Sequence, residues 1–94
     1  MTRPCREDRL AYKTIGSETI ILDTKLNQEV HQLNELASFI WNLCDGQHEV
    51  GDIISEVCEE FEVTEEIART DVESFIVELQ SKSLLFDKAL WAQK

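Results

Sequence analysis

Basic residues are scarce in this chain where a nucleic-acid binder would need them most. Nine lysines and arginines stand against 19 aspartates and glutamates, a net charge of −10. Between Asp45 and Glu78 there are twelve carboxylates and a single base, Arg69. Phosphate neutralisation supplies most of the non-specific affinity of DNA binders, so a helix from this stretch would be repelled by a phosphate backbone. Only three glycines are present, which leaves little room for a phosphate-cradling loop. The two histidines, His31 and His48, have no Cys or His at metal-ligand spacing and no positioned nucleophile or carboxylate, which argues against a metal centre and against general acid–base chemistry. Three cysteines, Cys5, Cys44 and Cys58, form neither an even framework nor a close pair, so neither disulfides nor a zinc site is expected. No apolar run approaches the roughly 20 residues of a membrane span, and nothing resembles a signal peptide. A cytoplasmic protein without membrane, nucleic-acid, metal or cofactor partners is the expectation, and an enzyme is not.

What is present suits a small folded unit. An apolar fraction of 43% over 94 residues supports one domain with a modest core. Residues 1–8 are polar and basic and hold the only proline, as a flexible arm would; Cys5 sits there beside Pro4. Arg9 to Ile15 alternates weakly around Leu10, Tyr12 and Ile15 and reads as a strand. Gly16-Ser17 is a turn signal, and Glu18 to Leu22 is β-branched and apolar, a better strand. After a polar connection over residues 23–28, Glu29-Val30-His31-Gln32-Leu33 is a half-polar third strand of the kind found at a sheet edge.

Helical periodicity then takes over. Asn34 is an N-cap candidate and Glu35 suits the positive first turn. Leu36, Phe39, Ile40, Leu43 and Cys44 recur at helical spacing until Asp45-Gly46 ends the run. Ile53, Ile54, Val57, Cys58 and Phe61 make the stripe of a second helix. Thr64 caps a third, with Ala68, Val72, Phe75, Ile76 and Leu79 facing inward. Leu84-Leu85-Phe86 is expected to return as an extended segment against the core, and residues 87–94, with Trp91, form a tail. The acidic run around Glu59-Glu60 and Glu65-Glu66 lacks the Asp/Asn and glycine spacing of a calcium loop and reads as two solvated helix ends. His31 and His48 are expected at the surface.

The predicted fold is α+β, a three-stranded antiparallel sheet followed by a three-helix bundle, winged helix-turn-helix-like in outline. Binding is the function such a chain can perform. An exposed edge strand beside an amphipathic helix offers main-chain hydrogen bonds to an added peptide strand and side-chain pockets for specificity. The competing arrangement is that the basic N-terminal arm covers this edge.

Leu33-Asn34-Glu35-Leu36-Ala37, Asp45-Gly46, Asp71-Val72 with Phe75 and Leu79, and Ser83-Leu84-Leu85 together resemble the PqqD family, over roughly residues 18–86. The family comprises small proteins of pyrroloquinoline quinone synthesis and their relatives, the recognition elements of ribosomally made, post-translationally modified peptides. The resemblance implies a winged-helix-like domain, here residues 9–86, that binds the leader of a precursor peptide and delivers it to a radical S-adenosylmethionine protein or a leader peptidase. The leader is implied to add as a strand to Glu29, Val30, His31, Gln32 and Leu33, against the third helix at Asp71, Ser74, Phe75 and Glu78. Leu33, Phe75 and Leu79 also fit core positions. The chain departs from the family pattern at Ser83, often glycine, and at Glu49, where Thr or Ser often opens the second helix. The connection over residues 23–28 lacks the proline-containing segment associated with quinone synthesis itself, so another modified peptide fits equally well. A winged-helix DNA-binding regulator and a structural subunit of an enzyme complex are the alternatives. Monomer and homodimer both remain open, since an exposed edge can pair with itself.

Overall fold

The structure is a computed structural model that describes residues 3–7, 10–23 and 29–87. Among these, β1 (Pro4–Arg6), β2 (Ala11–Ile15), β3 (Glu18–Asp23) and β4 (Glu29–Leu33) precede α1 (Glu35–Leu43), α2 (Val50–Phe61), α3 (Glu65–Ser81) and β5 (Leu85–Asp87). The α+β reading holds, with a three-stranded antiparallel sheet in the order β2-β3-β4 running into three helices. A second, two-stranded sheet pairs β1 with β5, Cys5 opposite Phe86.

Over its described residues, 3–7, that pairing corrects the expectation of a flexible arm at residues 1–8. Pro4 is buried in β1. The Arg6 N–H donates to the Cys44 carbonyl at 3.0 Å, and the Gly46 N–H donates to the Pro4 carbonyl at 3.0 Å. Gly46 reaches that contact with φ 78°, a conformation glycine adopts without steric cost. The Arg6 guanidinium also donates to the carbonyls of Trp41 and Asn42, at 2.9 and 3.2 Å. It thereby supplies the cation that the last turn of α1 lacks in its own sequence. The described part of the arm is thus bound to β5 and to residues 41–46, and among the described residues no strand of it pairs with β4. Residues 88–94, with Trp91, lie outside the described residues, as does the connection at 24–28.

Local sequence signals account for the helix ends. Asn34 accepts from the Ala37 N–H at 2.9 Å and Thr64 from the Ile67 N–H at 3.3 Å, each satisfying a free first-turn donor. Glu49 opens α2 with a reciprocal partner, Asp52, whose carboxylate accepts the Glu49 N–H at 3.2 Å, so this departure from Thr or Ser still caps the helix. Ser83 sits at φ 62°, a left-handed conformation that glycine adopts at lower steric cost.

The three-stranded sheet buries one face only. In β3 the inward residues Thr19, Ile21 and Asp23 alternate with the exposed Glu18, Ile20 and Leu22. Ile21 is completely buried against α1, together with Trp41 and Ile40. Tyr12 meets Trp41 edge-on, ring centroids 5.4 Å apart, while Phe39 and Phe61 join α1 to α2 in the same geometry. Ile53, Val57, Ala68 and Val72 close the helical half of the core. Cys44 lies within it as a small hydrophobe, its thiol pKa pushed up to about 12 by burial; Cys5 and Cys58 are half-buried.

His48 is not simply solvated. Its Nδ1 lies 2.9 Å from the Asp45 carboxylate, which also accepts the Gln47 N–H at 2.9 Å. The bond to Asp45 raises the His48 pKa above 6.5, with burial opposing. At Asp45 burial opposes ionisation, but the His48 bond and the Gln47 amide outweigh it and lower the pKa from 3.8. A raised histidine stabilises below its unfolded pKa and loses that contribution as pH rises through the folded value; the lowered aspartate loses its contribution as pH falls. The melting-temperature penalty of His48→Ala should therefore be larger at about pH 5.5 than at about pH 8.5.

Glu62 ends α2 in the left-handed region, at φ 53°, where a side chain pays a steric cost. Glu62→Gly is expected to stabilise the fold by about 0.5–1 kcal/mol in urea unfolding.

Candidate functional site

β4 has a paired side and an open side. Its register on β3 places Thr19 opposite Leu33, Ile21 opposite His31 and Asp23 opposite Glu29. Among the described residues no strand pairs with its outer side. A free strand edge presents a row of unpaired N–H and C=O groups, a template for an added strand.

Beside that edge runs a cleft of about 390 Å³ between β4 and α3. Leu33, Ala37, Phe75 and Leu79 provide apolar surface. Val30, His31, Gln32 and Asn34 line the strand side, Glu78 and Lys82 the helix side. Lys82 Nζ holds the Glu78 carboxylate at 3.1 Å, an exposed i, i+4 pair that leaves both charges at the cleft mouth. Phe75 is half-buried, while Leu33 and Leu79 are buried, so the latter two serve the core and the cleft wall at once.

The cleft therefore gathers Val30, His31, Gln32, Leu33, Phe75 and Glu78 from the residues expected at a peptide site. Glu29, Asp71 and Ser74 are exposed but not among its lining residues. Asn34, Ala37 and Lys82 line it without having been chosen as site residues. Lys82 lies four residues after Glu78, so helical spacing would have found it; Ala37 is on α1, which spacing along α3 does not reach.

His31 departs from its expected surface position. Its side chain is only 14% exposed, because the two-residue alternation of β4 places it on the inward face with Leu33. Among the described residues its buried Nε2 finds no hydrogen-bond partner, although Glu29 Oε1 lies 3.5 Å away. A polar atom left without a partner contributes no stability, so an apolar replacement should be tolerated. His31→Leu is expected to leave unfolding free energy within about 1 kcal/mol of the parent, measured in urea.

A larger cavity, about 720 Å³, lies on the opposite flank of α3 between Val50, Arg69, Glu73 and Val77. Its lining comes from α2 and α3 with Asp87 at the end of β5 as its single strand residue, so it offers an added peptide strand few main-chain donors and acceptors. Among the described residues no group of three or more His, Cys, Asp or Glu side chains is placed to hold a metal ion. No described helix is long and apolar enough to cross a membrane.

An edge strand flanked by an amphipathic helix and a part-apolar cleft is an arrangement to which a peptide strand can add. The chain belongs to the PqqD family, described as coenzyme PQQ synthesis protein D, whose profile matches residues 18–85. Its fold is similar to that of TbiB1, solved in complex with the TbiA(beta) leader peptide, at 23% identity and a TM-score of 0.79, covering 86% of this chain and 93% of that one. It is also similar to lasso peptide synthetase B1 complexed with the leader peptide, at 19% identity and a TM-score of 0.78, covering 89% and 98%. The heterocyclase TruD contains a similar fold at 18% identity and a TM-score of 0.65, over 93% of this chain but only 12% of that one. No curated protein sequence matches significantly.

Proposed function

We propose that this protein recognises the leader segment of a ribosomally made precursor peptide and presents that precursor to a modifying enzyme. The observation that carries the reading is the unpaired outer edge of β4 beside the α3 cleft. Two proteins of the same fold and comparable length were solved with leader peptides bound, which supports it. In this reading the leader adds as a strand along Glu29 to Leu33. Its inward side chains enter the cleft at Leu33, Phe75 and Leu79, and polar groups meet Glu78, Lys82 and His31. Asp71 and Ser74 lie further along α3 and contact only a longer leader. The recognition domain is residues 9–86, extended by the β1–β5 pair. It acts without catalysis or cofactor, in the cytoplasm where precursors are synthesised, as a monomer or a homodimer. The partner enzyme is a radical S-adenosylmethionine protein or a leader peptidase.

Charge weighs against DNA as the ligand. Along α3 the carboxylates Glu65, Glu66, Asp71, Glu73 and Glu78 face one base, Arg69, whose guanidinium is engaged by Glu65 at 2.7 Å and Glu73 at 3.8 Å. The same charge favours basic leader residues, so leader affinity is expected to weaken with added salt.

The test is an NMR titration of the labelled protein with the leader of the precursor encoded beside its gene. Shifts should cluster at Glu29–Leu33 and at Phe75 and Glu78. Because successive amides of a strand point in opposite directions, one of Val30→Pro and His31→Pro should abolish binding while circular dichroism shows an intact fold. The other should damage pairing with β3. A titration without shifts at β4 would leave a structural-subunit role as the better reading.

A further inference from the structure

The cavity of about 720 Å³ on the flank of α3 away from β4 has an apolar floor and a charged rim. Arg69, Glu73 and Val77 recur every four residues and form one ridge along α3, with Ile76 and Gln80 beside it. Val50 and Gly51 contribute from the first turn of α2. A Cβ added at Gly51 would meet nothing within 4 Å, so the cavity reaches the α2 backbone there. Val77 is 64% exposed, a high value for an aliphatic side chain in a cavity wall. The volume falls within the roughly 300–1,000 Å³ usual for a ligand site. Three carboxylates, Glu49, Glu73 and Asp87, stand around the apolar floor. Arg69 shares the wall, its guanidinium held by Glu65 and Glu73. The site suits an occupant with an apolar centre and basic ends.

The chain delivers such a segment to the cavity wall. Asp87 ends β5 and lines the cavity, so residue 88 follows from that point. β1 fixes the point in turn. Cys5 lies opposite Phe86, and the Arg3 N–H donates to Asp87 Oδ1 at 3.1 Å. The Arg3 guanidinium also lies 4.0 Å from Glu49, so one residue touches two of the rim carboxylates. The sequence continues Lys88-Ala89-Leu90-Trp91-Ala92-Gln93-Lys94, with two of the chain's nine bases and no carboxylate. Leu90 and Trp91 stand between the lysines. Seven residues reach at most about 25 Å, and the α3 ridge from Arg69 to Gln80 is about 17 Å long. Trp91 is four residues beyond Asp87, a reach of about 14 Å, enough to lay its indole over Val77 and the Arg69 guanidinium.

We infer that residues 88–94 dock across this cavity as an intramolecular strap, with Leu90 and Trp91 on Val50, Ile76 and Val77 and the lysines against Glu49 and Glu73. The indole is the anchor, since an aromatic side chain buries about 150–250 Å² in such a seat. Exposed charge pairs contribute less, and the lysines set the direction in which the segment lies. The strap ties β5 to α3 and to the start of α2. It braces α3 from the flank opposite Phe75 and Glu78, and so leaves the β4 cleft open. Neither the cavity nor the strap depends on what the β4 cleft binds.

The experiment is NMR on the labelled full chain, its Trp91→Ala variant and its Val77→Lys variant. In the parent, nuclear Overhauser contacts should run from the Trp91 indole to the methyls of Val50 and Val77. The Trp91 amide should have an order parameter near about 0.85, the value of rigid backbone. Trp91→Ala should move the amides of Arg69, Glu73, Val77 and Gln80 and leave those of Glu29–Leu33 in place. Val77 is exposed, so lysine there leaves the core intact; it should release the strap and drop the Trp91 order parameter below about 0.6. Signals of the buried Ile21 and Trp41 report that both variants are folded. A parent indole without contacts to Val50 or Val77 would overturn the inference, as would a folded Val77→Lys variant with a rigid Trp91. Contacts to Leu33 or Phe75 instead would make residues 88–94 an autoinhibitory segment of the β4 cleft and overturn it. Contacts found only between differently labelled molecules in a mixed sample would assign the cavity to a second copy, which overturns it as well.

Discussion

The pairing of β4 with β3 is the constraint on which the remaining structure depends. Side chains alternate along a strand, so the register that sets Ile21 opposite His31 also decides which residues face α1 and which face solvent. A slip of one residue would put Val30 and Gln32 inside and turn Leu33 out, removing the apolar wall of the cleft. The buried partners Thr19, Ile21 and Asp23 on β3 hold the register from the inner side. Ser38 reinforces it from α1 by donating its hydroxyl hydrogen to the Leu33 carbonyl at 3.2 Å. Asn34 begins α1 immediately after β4, so the strand end, the helix cap and the cleft are fixed within a few residues of one another.

The acidity of the helices and the neutrality of the sheet divide the surface into regions with different physics. Carboxylates on α2 and α3 act at long range and are screened by salt. They can steer a basic peptide toward the cleft but give little geometric selection. Selection falls to short-range features, the strand edge and the side chains that line the cleft. The outer sheet face carries one apolar row, Ala11, Leu22 and Val30, beside a mixed row of Lys13, Ile20 and Gln32.

Much of this was legible in the residues, and the gaps have physical causes. β4 and the caps of α1 and α3 follow from alternation, from Asn34 and from Thr64, all local signals. The sheet of β1 and β5 does not, because Pro4–Arg6 is a three-residue segment whose backbone partners are distant in sequence, Cys44 and Leu85 among them. Composition made that segment look like a mobile arm; buried Pro4 and the Arg6 contacts to α1 tie it down. His31 was placed at the surface on polarity, although the period of its own strand puts it inward with Leu33. His48 was read as solvated because its partner, Asp45, lies in a loop whose geometry no periodicity describes. Of the residues expected at the site, Val30 to Leu33 on the strand and Phe75 and Glu78 on α3 line the cleft, whereas Glu29, Asp71 and Ser74 do not. Asp71 and Ser74 share a helical side with Glu78, but the cleft runs toward Lys82.

An open edge strand carries a risk as well as a function. Unpaired edges invite pairing with other copies, and proteins commonly blunt them with charge, with proline or by covering them. Here the N-terminal segment that might have covered β4 is used instead to close the β1–β5 sheet, and the prolyl residue is spent in that strand. What remains at the edge is short length, five residues, with Glu29 at its start and Glu78 across the cleft. Two copies meeting edge to edge would join molecules that each carry −10, and the overall repulsion opposes self-pairing. A peptide strand of opposite charge meets no such barrier. The acidity that argues against nucleic acid thus also keeps the edge available for a basic peptide strand.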